Sequence, residues 1–326
     1  MKAIVHDVFG EPKDVLETRD IALPEPGAGE VQVQTILSPI HNHDIWTVRG
    51  QYGYKPELPG AVGGSEAAGI VTAVGAGVDA ALMGQRVAVA GVHGTWAEYF
   101  IAPAAGVLPL PEQISDAMGA QLISMPFSAI SMLDMLKADK GDWVIQTAAN
   151  GAVGRVMTVL AAARGIDLLN LVRREEAATE LRQAGMTNVL STATENWKDE
   201  AREIIGKGRA ISAIDSVGGA ISADLIDLLA PDGELMVFGT ATGAPMPLSS
   251  GALILKQITI KGFWGSRVSA EMASDKRRQL ITELVTLAAQ GKLALDTGGS
   301  FAFDQVTDAM VASLTPGRAG KVMLRP

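Results

Sequence analysis

A short run of small residues is the first feature of this sequence that could do chemistry. Asn150-Gly151-Ala152-Val153-Gly154 follows an apolar run from Trp143 to Ala148 and opens an alanine- and leucine-rich segment at 152–164. Small residues between a strand and a helix let the backbone approach a pyrophosphate, whose charge the free N–H groups of the helix start stabilise. An ordinary tight turn uses the same residues, so it is the flanking strand and helix that favour dinucleotide binding.

Two arginines occupy the position that usually determines which dinucleotide is bound. Arg173 and Arg174 come directly after the next apolar run, 168–172. An NAD-binding fold usually has an acidic residue there, which binds the ribose 2′-hydroxyl, whereas two guanidinium groups suit the 2′-phosphate of NADPH. The alternative is a pair of solvated charges partnered by Glu175 and Glu176. We expect NADPH as the cofactor.

These motifs need a parallel sheet to position them. From about residue 119, strand-like apolar runs alternate with segments of helical period, at 143–148, 152–164, 168–172, 175–184, 210–214, 220–230, 234–238 and 257–263. Alternation of this kind predicts βαβ units and a doubly wound Rossmann sheet of about six strands.

The rest of the chain has a different texture. Residues 1–118 are rich in Gly and Pro, with short β-type runs such as 31–36 and 69–74, and a helix near 275–290 precedes a final strand-like run at 321–324. We expect an α/β protein with a Rossmann NADPH-binding domain at 119–266. A mainly β catalytic and substrate domain would be formed by 1–118 and 267–326.

Composition excludes several classes of function. The 326 residues carry a net charge of −9, which argues against a nucleic-acid partner, and contain no cysteine, which excludes disulfides and thiol catalysis. No apolar stretch approaches the length of a membrane span, and the first residues lack the pattern of a signal peptide. We expect a cytoplasmic protein with a small-molecule substrate.

The order and spacing of the motifs resemble the zinc-independent medium-chain dehydrogenases/reductases. The 2-enoyl thioester reductases are the most similar branch, followed by quinone oxidoreductases. The matching stretches are 49–53, 56–59, 63–66, 94–96, the run 150–154, 170–173, 217–219 and 261–264. The resemblance implies that the β domain is GroES-like.

The same resemblance implies roles for individual residues. It assigns Tyr52 and Trp264 to catalysis, with the phenol as proton donor, and Asn42 and Trp46 to the substrate pocket. The residues assigned to the cofactor beyond the motifs above are Phe238, Gly239, Thr240, Phe263 and Lys321. Tyr52 could instead be a surface aromatic and Trp264 a core residue. One departure is Met125, which stands before Pro126 where the enoyl reductases have asparagine.

Zinc is not expected. The zinc-dependent branch of the superfamily uses a cysteine and a His-Glu pair around its metal, but here His41 replaces the cysteine and Ser65 replaces the histidine before Glu66. His41, His43 and Asp44 would then line or support the pocket.

Three functions stay open. The first is reduction of an activated double bond in an enoyl thioester, enone or 2-alkenal; the second is quinone reduction; the third is NADPH binding by a sensor without turnover. We also expect a homodimer, because the run 257–261 would form the edge of the sheet and an exposed apolar edge is normally covered or paired.

Overall fold

The structure is a computed structural model that describes residues 1–315, 317–318 and 320–326. The strands are β1 (Lys2–His6), β2 (Glu17–Asp20), β3 (Glu30–Pro39), β4 (Ala61–Val62), β5 (Glu66–Val74), β6 (Arg86–Ala90), β7 (Tyr99–Pro103), β8 (Val107–Pro109), β9 (Trp143–Gln146), β10 (Asp167–Val172), β11 (Val189–Ser191), β12 (Ala210–Asp215), β13 (Glu234–Val237), β14 (Thr259–Gly262), β15 (Thr297–Ala302) and β16 (Lys321–Arg325). The helices are α1 (Pro12–Val15), α2 (Asn42–Val48), α3 (Asp116–Gly119), α4 (Ser124–Met135), α5 (Ala152–Arg164), α6 (Glu175–Gln183), α7 (Trp197–Ile205), α8 (Ile221–Leu228), α9 (Ser250–Lys256), α10 (Gly265–Glu271), α11 (Ser274–Ala289) and α12 (Val306–Leu314).

The chain divides into two compact units. Unit 1 consists of Met1–Met125 and Ile281–Pro326, and unit 2 of Pro126–Leu280. Among the described residues, no helix combines the length and the apolar character that crossing a membrane requires.

Unit 2 contains the expected doubly wound sheet. Its six parallel strands lie in the order β11-β10-β9-β12-β13-β14. The chain therefore moves outward from β9 in one direction and then from β12 in the other, which creates a topological switch point between these two strands. Both faces of a parallel sheet are covered, so its strands read as nearly continuous apolar runs. Ile145, Leu169, Ala213 and Leu235, one from each of four strands, are fully buried in one core cluster.

Unit 1 is the mainly β, GroES-like part of the fold. The ten-residue strand β3 pairs with β5, β7 and β16, all antiparallel, while β1 pairs with β2 and β4 in a smaller sheet. Alternate residues of β3, Val31 and Val33, are buried in one cluster with Val71, Val87 and Phe100. The sheet thus holds β5 and β16, which carry polar residues of the site, in a fixed register.

Candidate functional site

The turn between β9 and α5 forms an uncapped helix start. Gly151 is the N-cap of α5, no side chain caps the helix, and its first turn has no acidic residue. The first N–H groups of a helix have no partner within the helix, and the helix dipole adds positive potential at this end. The turn can therefore bind an anionic group such as a pyrophosphate.

Gly154 allows the first turn of α5 to pack against the turn that follows β9. A Cβ atom at this position would come within 2.6 Å of the Ala149 Cα and 2.7 Å of the Ala149 carbonyl oxygen. Gly151 has more room, since its nearest neighbour would be the Ala148 oxygen at 3.2 Å, and its φ of −76° suits any residue. The two glycines of the motif thus differ: one is required by packing, and the other leaves the backbone accessible.

Arg173 and Arg174 lie at the end of β10, and both are exposed. Neither makes an ion pair with any described residue, and the Glu175 carboxylate binds Arg182 instead, at 2.8 Å. Glu175 is therefore not the partner of either arginine, although their exposure is what both a ligand site and a pair of solvated charges would show. Two uncompensated guanidinium groups remain available for an anionic ligand.

The remaining residues assigned to the cofactor in unit 2 follow β13 and β14. Phe238 contacts Phe263 edge to face, with ring centroids 5.8 Å apart, and Phe238 and Gly239 both donate backbone hydrogen bonds to the Asp215 carbonyl. Thr240 is exposed. Trp264 is 49% exposed at the start of α10, so it is not a core residue.

All these residues share one edge of the sheet. The carboxyl ends of parallel strands meet at the same edge, and ligands of doubly wound sheets bind there, outside the switch point. The motif 150–154 follows β9, the arginines follow β10, and the aromatic residues follow β13 and β14. The structure thus brings together the residues of unit 2 that the sequence singled out.

Asp215, at the same edge, was missed by sequence reasoning. Its buried carboxylate accepts hydrogen bonds from the Thr147 hydroxyl, the N–H groups of Val217 and Gly218, and the Ser222 hydroxyl, at 2.6 to 3.2 Å. It fixes the turn after β12, where Gly218 has a φ of +73° that favours glycine. The Val217-Gly218-Gly219 run was the available signal.

In unit 1, the residues around Tyr52 come from α2 and the loop after it. The Tyr52 ring stacks on the His43 ring, with centroids 5.7 Å apart and planes 29° from parallel. Asn42 is exposed at the first position of α2, and Trp46, on the same helix, is 36% exposed. The stacking holds the Tyr52 ring against α2, and its phenol is a group that can donate a proton.

His41 and Glu66 form a fully buried pair beneath this layer. His41 Nε2 lies 2.7 Å from Glu66 Oε2, and Glu66 Oε1 accepts hydrogen bonds from the Ile123 and Ser124 N–H groups. Burial raises the pKa of the Glu66 carboxyl to about 8 and lowers the pKa of His41 well below its usual value. Both shifts favour a pair in which His41 carries no charge.

A second polar row lies beside this pair. The Ser65 hydroxyl donates to Asp44 Oδ1 at 2.6 Å, and His43 Nε2 lies 2.7 Å from the same hydroxyl oxygen. Asp44 Oδ2 also accepts the His41 N–H in the capping box that starts α2. The sequence analysis expected His43 and Asp44 to line or support the pocket and named Ser65 as the replacement of a zinc-ligating histidine, but it did not predict these hydrogen bonds.

Lys321, at the start of β16, is 8% exposed. Burial lowers its pKa to about 8, with Arg318 acting in the same direction and Asp44 and Glu66 opposing the shift. Lys321 belongs to unit 1 and lies within electrostatic range of the Asp44 and Glu66 carboxyls. Met125 lies in the first turn of α4.

The polar layer is not arranged as a metal centre. Within 1–315, 317–318 and 320–326, no three His, Asp or Glu side chains are grouped so that they could hold a metal ion. The side chains of His41 and Asp44 are engaged with Glu66 and Ser65, respectively.

Comparisons with known proteins agree with this architecture. A family model of the alcohol dehydrogenase GroES-like domain matches residues 27–112, and a model of zinc-binding dehydrogenases matches residues 152–284. The chain belongs to the medium-chain dehydrogenase/reductase superfamily and is one of its oxidoreductases.

Individual relatives come from two branches of the superfamily. The mitochondrial enoyl-[acyl-carrier-protein] reductase of Bos taurus is 30% identical over 99% of this chain and 88% of its own length. A candidate NADPH:quinone reductase from Bacillus thuringiensis superimposes with a TM-score of 0.92 at 26% identity, covering 100% of this chain and 98% of its own. A mycobacterial structure solved in complex with NADPH has a TM-score of 0.86 at 27% identity, with 100% of both chains covered.

Proposed function

We propose that the protein is an NADPH-dependent reductase of an activated carbon–carbon double bond, with Tyr52 as the proton donor and without a catalytic metal. The observation that carries this proposal is the Tyr52 phenol stacked on His43, which is itself hydrogen-bonded to Ser65. The kinship with enoyl reductases supports the same reaction. Candidate substrates are enoyl thioesters, enones and 2-alkenals.

The proposed reaction adds a hydride and a proton to the double bond, and the two come from different sources. When bound, NADPH supplies the hydride, which reaches the β-carbon of the conjugated system. Negative charge then develops on the carbonyl oxygen and the α-carbon, where a hydrogen-bond donor stabilises it. The Tyr52 hydroxyl can donate that hydrogen bond and then transfer its proton to the α-carbon.

The selectivity for NADPH over NADH would come from Arg173 and Arg174. Their guanidinium groups have no carboxylate partner among the described residues, and a relative binds NADPH. Removing either should weaken NADPH binding about tenfold, the value of a hydrogen bond to a charged group, and leave NADH binding unchanged. Calorimetric titration of both cofactors tests this, with Arg209→Ala as the control because Arg209 is an exposed arginine before β12, at the opposite edge of the sheet. Unchanged NADPH affinity in the Arg173→Ala, Arg174→Ala double variant would contradict the assignment.

We propose catalysis without zinc because of the residues that stand at the positions of the zinc ligands. A catalytic zinc needs three protein ligands among His, Cys, Asp and Glu. The position that would supply the histidine before Glu66 is Ser65, a poor zinc ligand, and its hydroxyl is bound to Asp44. Full activity of protein dialysed against a strong chelator, with no zinc in elemental analysis, is the expected result.

Quinone reduction is the second candidate function. The half-buried Tyr52 ring is a flat aromatic group of the kind that stacks on a planar substrate, and the Bacillus thuringiensis relative bears the name of a quinone reductase. A quinone accepts hydride without a protein acid at carbon, so its reduction should depend little on the phenol.

The first experiment therefore compares substrates and variants together. NADPH consumption is measured with a short enoyl-CoA, a 2-alkenal and a quinone, in wild type, Tyr52→Phe and the control Tyr99→Phe, which alters a tyrosine of β7. We expect Tyr52→Phe to reduce enoyl turnover by about 10²–10⁴-fold, the usual contribution of a general acid. If the protein reduces the quinone equally fast with and without the Tyr52 phenol and does not reduce the enoyl-CoA, the second candidate function replaces the first.

We also propose a homodimer that forms along the outer edge of β14. Among the described strands, β14 pairs only with β13, and the preceding helix α9 exposes Ile254 (67%) and Leu255 (84%). Apolar side chains beside an open strand edge are normally covered. Light scattering after gel filtration should give a dimer for wild type and a monomer for Leu255→Asp, with Met83→Asp as the exposed control in unit 1. A monomeric wild type would overturn this proposal.

The last part of the proposal concerns the limits of the two domains and the cellular location of the protein. We propose that the nucleotide-binding domain spans 119–266, that 1–118 and 267–326 form the substrate domain, and that the protein acts in the cytoplasm. The absence of cysteine suits a reducing compartment, although the bovine relative is mitochondrial by name. Fractionation of source cells with an antibody to the chain distinguishes the two locations.

A further inference from the structure

The row Asp44–Ser65–His43 has a fixed direction of hydrogen bonding. An ionised carboxylate only accepts, and a serine hydroxyl has one proton, which Ser65 donates to Asp44 Oδ1 at 2.6 Å. His43 Nε2, 2.7 Å from the Ser65 oxygen, must then be the donor in that contact. The imidazole therefore keeps its Nε2–H whether it is neutral or charged, and only Nδ1 can gain or lose a proton.

The His43 end is the more accessible end of the row. The His43 side chain is 22% exposed, whereas that of Asp44 is only 4% exposed. His43 Nδ1 has no hydrogen-bond partner among the residues that the structure describes. Solvent protons can thus reach the row at His43, whereas its other end is the buried Asp44 carboxylate, which accepts the Ser65 proton.

The neighbours of His43 place one carboxylate, but no buried positive charge, beside its imidazole. The Asp44 carboxylate lies 3.5 Å from Nε2 and attracts the positive charge of an imidazolium. On the other face, His41 stacks at 4.9 Å, and because burial lowers its pKa it adds no opposing charge. His93 and Lys321 are the further basic groups whose charges act on this layer, and Glu66 is the further acidic one.

We propose that His43 is a proton shuttle that recharges Tyr52 after each turnover, and that Ser65 and Asp44 hold its imidazole in the tautomer that this requires. The proposal rests on the proposed function, in which Tyr52 is the acid. It adds a route by which solvent protons reach that acid.

The proton balance of one turnover follows. After hydride transfer to the β-carbon, the Tyr52 O–H bond breaks as a C–H bond forms at the α-carbon, and a phenolate remains. The His43 imidazolium then releases its Nδ1 proton through one water molecule to the phenolate oxygen, because a stacked ring directs its nitrogen sideways rather than at the phenol. The neutral imidazole takes a new proton from solvent at Nδ1, so each turnover consumes one solvent proton.

A recharging role separates the first turnover from later ones. In His43→Gln the amide can still bond to Ser65, but no group replaces Nδ1, so we expect a first turnover within about twofold of wild type and a steady-state rate lower by about tenfold or more. Added imidazole should restore the steady-state rate in proportion to its concentration. Stopped-flow recording of NADPH absorbance with a short enoyl-CoA resolves both phases.

Two further variants test the row itself. Ser65→Ala should show the same pattern to a smaller degree, and Ser65→Thr, which keeps the hydroxyl, should restore wild-type behaviour. Thr72→Ala is the control for Ser65→Ala, because Thr72 also donates its hydroxyl proton to a side-chain oxygen in unit 1, Gln32 Oε1 at 2.8 Å, but that oxygen belongs to an amide rather than to the Asp44 carboxylate. It should leave both phases unchanged and should not respond to imidazole.

The possible results distinguish failure of the shuttle from failure of the proposed function. Equal slowing of the first and later turnovers in both His43→Gln and Ser65→Ala, or a steady-state rate that imidazole does not restore, overturns the shuttle. A first turnover that Tyr52→Phe leaves intact overturns the proposed function itself. Normal dependence on Tyr52 together with wild-type kinetics in His43→Gln rejects the shuttle alone.

Discussion

The Glu66 carboxylate lies 2.7 Å from Nε2 of His41, with both side chains completely buried. Its other oxygen accepts two backbone N–H groups, from Ile123 and Ser124. One side chain of β5 thus satisfies three donors or acceptors that belong to α2 and to the segment at the start of α4. A buried group with this many partners is costly to remove, because each partner loses its hydrogen bond without gaining water.

This arrangement predicts opposite results for two substitutions of Glu66. Glu66→Gln keeps an oxygen for the two N–H groups and offers an amide N–H to His41, so we expect a change in unfolding free energy of less than about 1 kcal/mol near neutral pH. Glu66→Leu leaves the partners unsatisfied and should cost about 3 kcal/mol or more. Urea unfolding followed by circular dichroism measures both. Equal stability of the two variants would show that the hydrogen bonds contribute little.

The shifted pKa values predict how stability depends on pH. The Glu66 carboxyl has a pKa of about 8 in the folded chain against a usual value of 4.5, so between these values the folded state binds the extra proton. The contribution of Glu66 to stability should therefore fall as pH rises from 4.5 to 8, and Glu66→Gln should remove it, whereas the lowered pKa of His41 acts in the opposite direction below 6.5 in both proteins. Urea unfolding at intervals across this window checks the sign, and a wild type and variant with parallel profiles would contradict it.

The shifted pKa of Lys321 should make stability rise with pH, in a higher pH range than that of Glu66. Its pKa is lowered from 10.5 to about 8, so between these values the unfolded chain binds the extra proton and stability should rise with pH. Lys321→Met should flatten the profile in this window, because methionine fills a similar volume without a charge. The same unfolding series, extended to high pH, provides the measurement. A profile in Lys321→Met that still rises as steeply as in wild type would assign the effect to other groups.

The sequence predicted the sheet of unit 2 well because of how its strands are buried. β10, β12 and β13 are covered on both faces and read as apolar runs, and their ends differ from the expected ones by only one residue. Helix α5 spans 152–164 as expected, because its glycine motif and the closing Gly165 mark both ends. The three-residue strand β11 was not identified, because so short a segment has no measurable periodicity.

The polar interior of unit 1 could not be predicted in the same way. Ser65 and His43 are 22 positions apart, and Lys321 lies at the far end of the sequence. Their contacts depend on the register of β3 with β5 and β16, which no local pattern encodes. The resemblance to a family assigned Lys321 to the cofactor and Ser65 to a lost metal site, and it did not indicate a hydrogen-bonded row.

The difference between the two glycines of the nucleotide motif can be tested directly. Gly154→Ala would place a Cβ 2.6 Å from the Ala149 backbone, so α5 must move and we expect a loss of about 1–3 kcal/mol in stability together with weaker NADPH binding. Gly151→Ala brings its Cβ only to 3.2 Å from the Ala148 oxygen and should change stability by less than about 1 kcal/mol. Thermal unfolding with and without NADPH distinguishes the two, and equal stability of both variants would argue against packing as the reason for Gly154.

Asp215 provides the last prediction, because its effect should reach the turn after β12 through hydrogen bonds alone. Asp215→Ala leaves the Val217 and Gly218 N–H groups and the Ser222 hydroxyl without their buried acceptor, and should cost about 3–5 kcal/mol. Asp227→Ala is the matched control, since it removes only an exposed ion pair with Arg202 and should cost less than about 1 kcal/mol. Urea unfolding gives both values, and NADPH titration of the folded variants shows whether the turn also serves the cofactor. If Asp215→Ala were as mild as the control, the carboxylate could not be what fixes the turn, and the positive φ of Gly218 would have to be stabilised by the backbone itself.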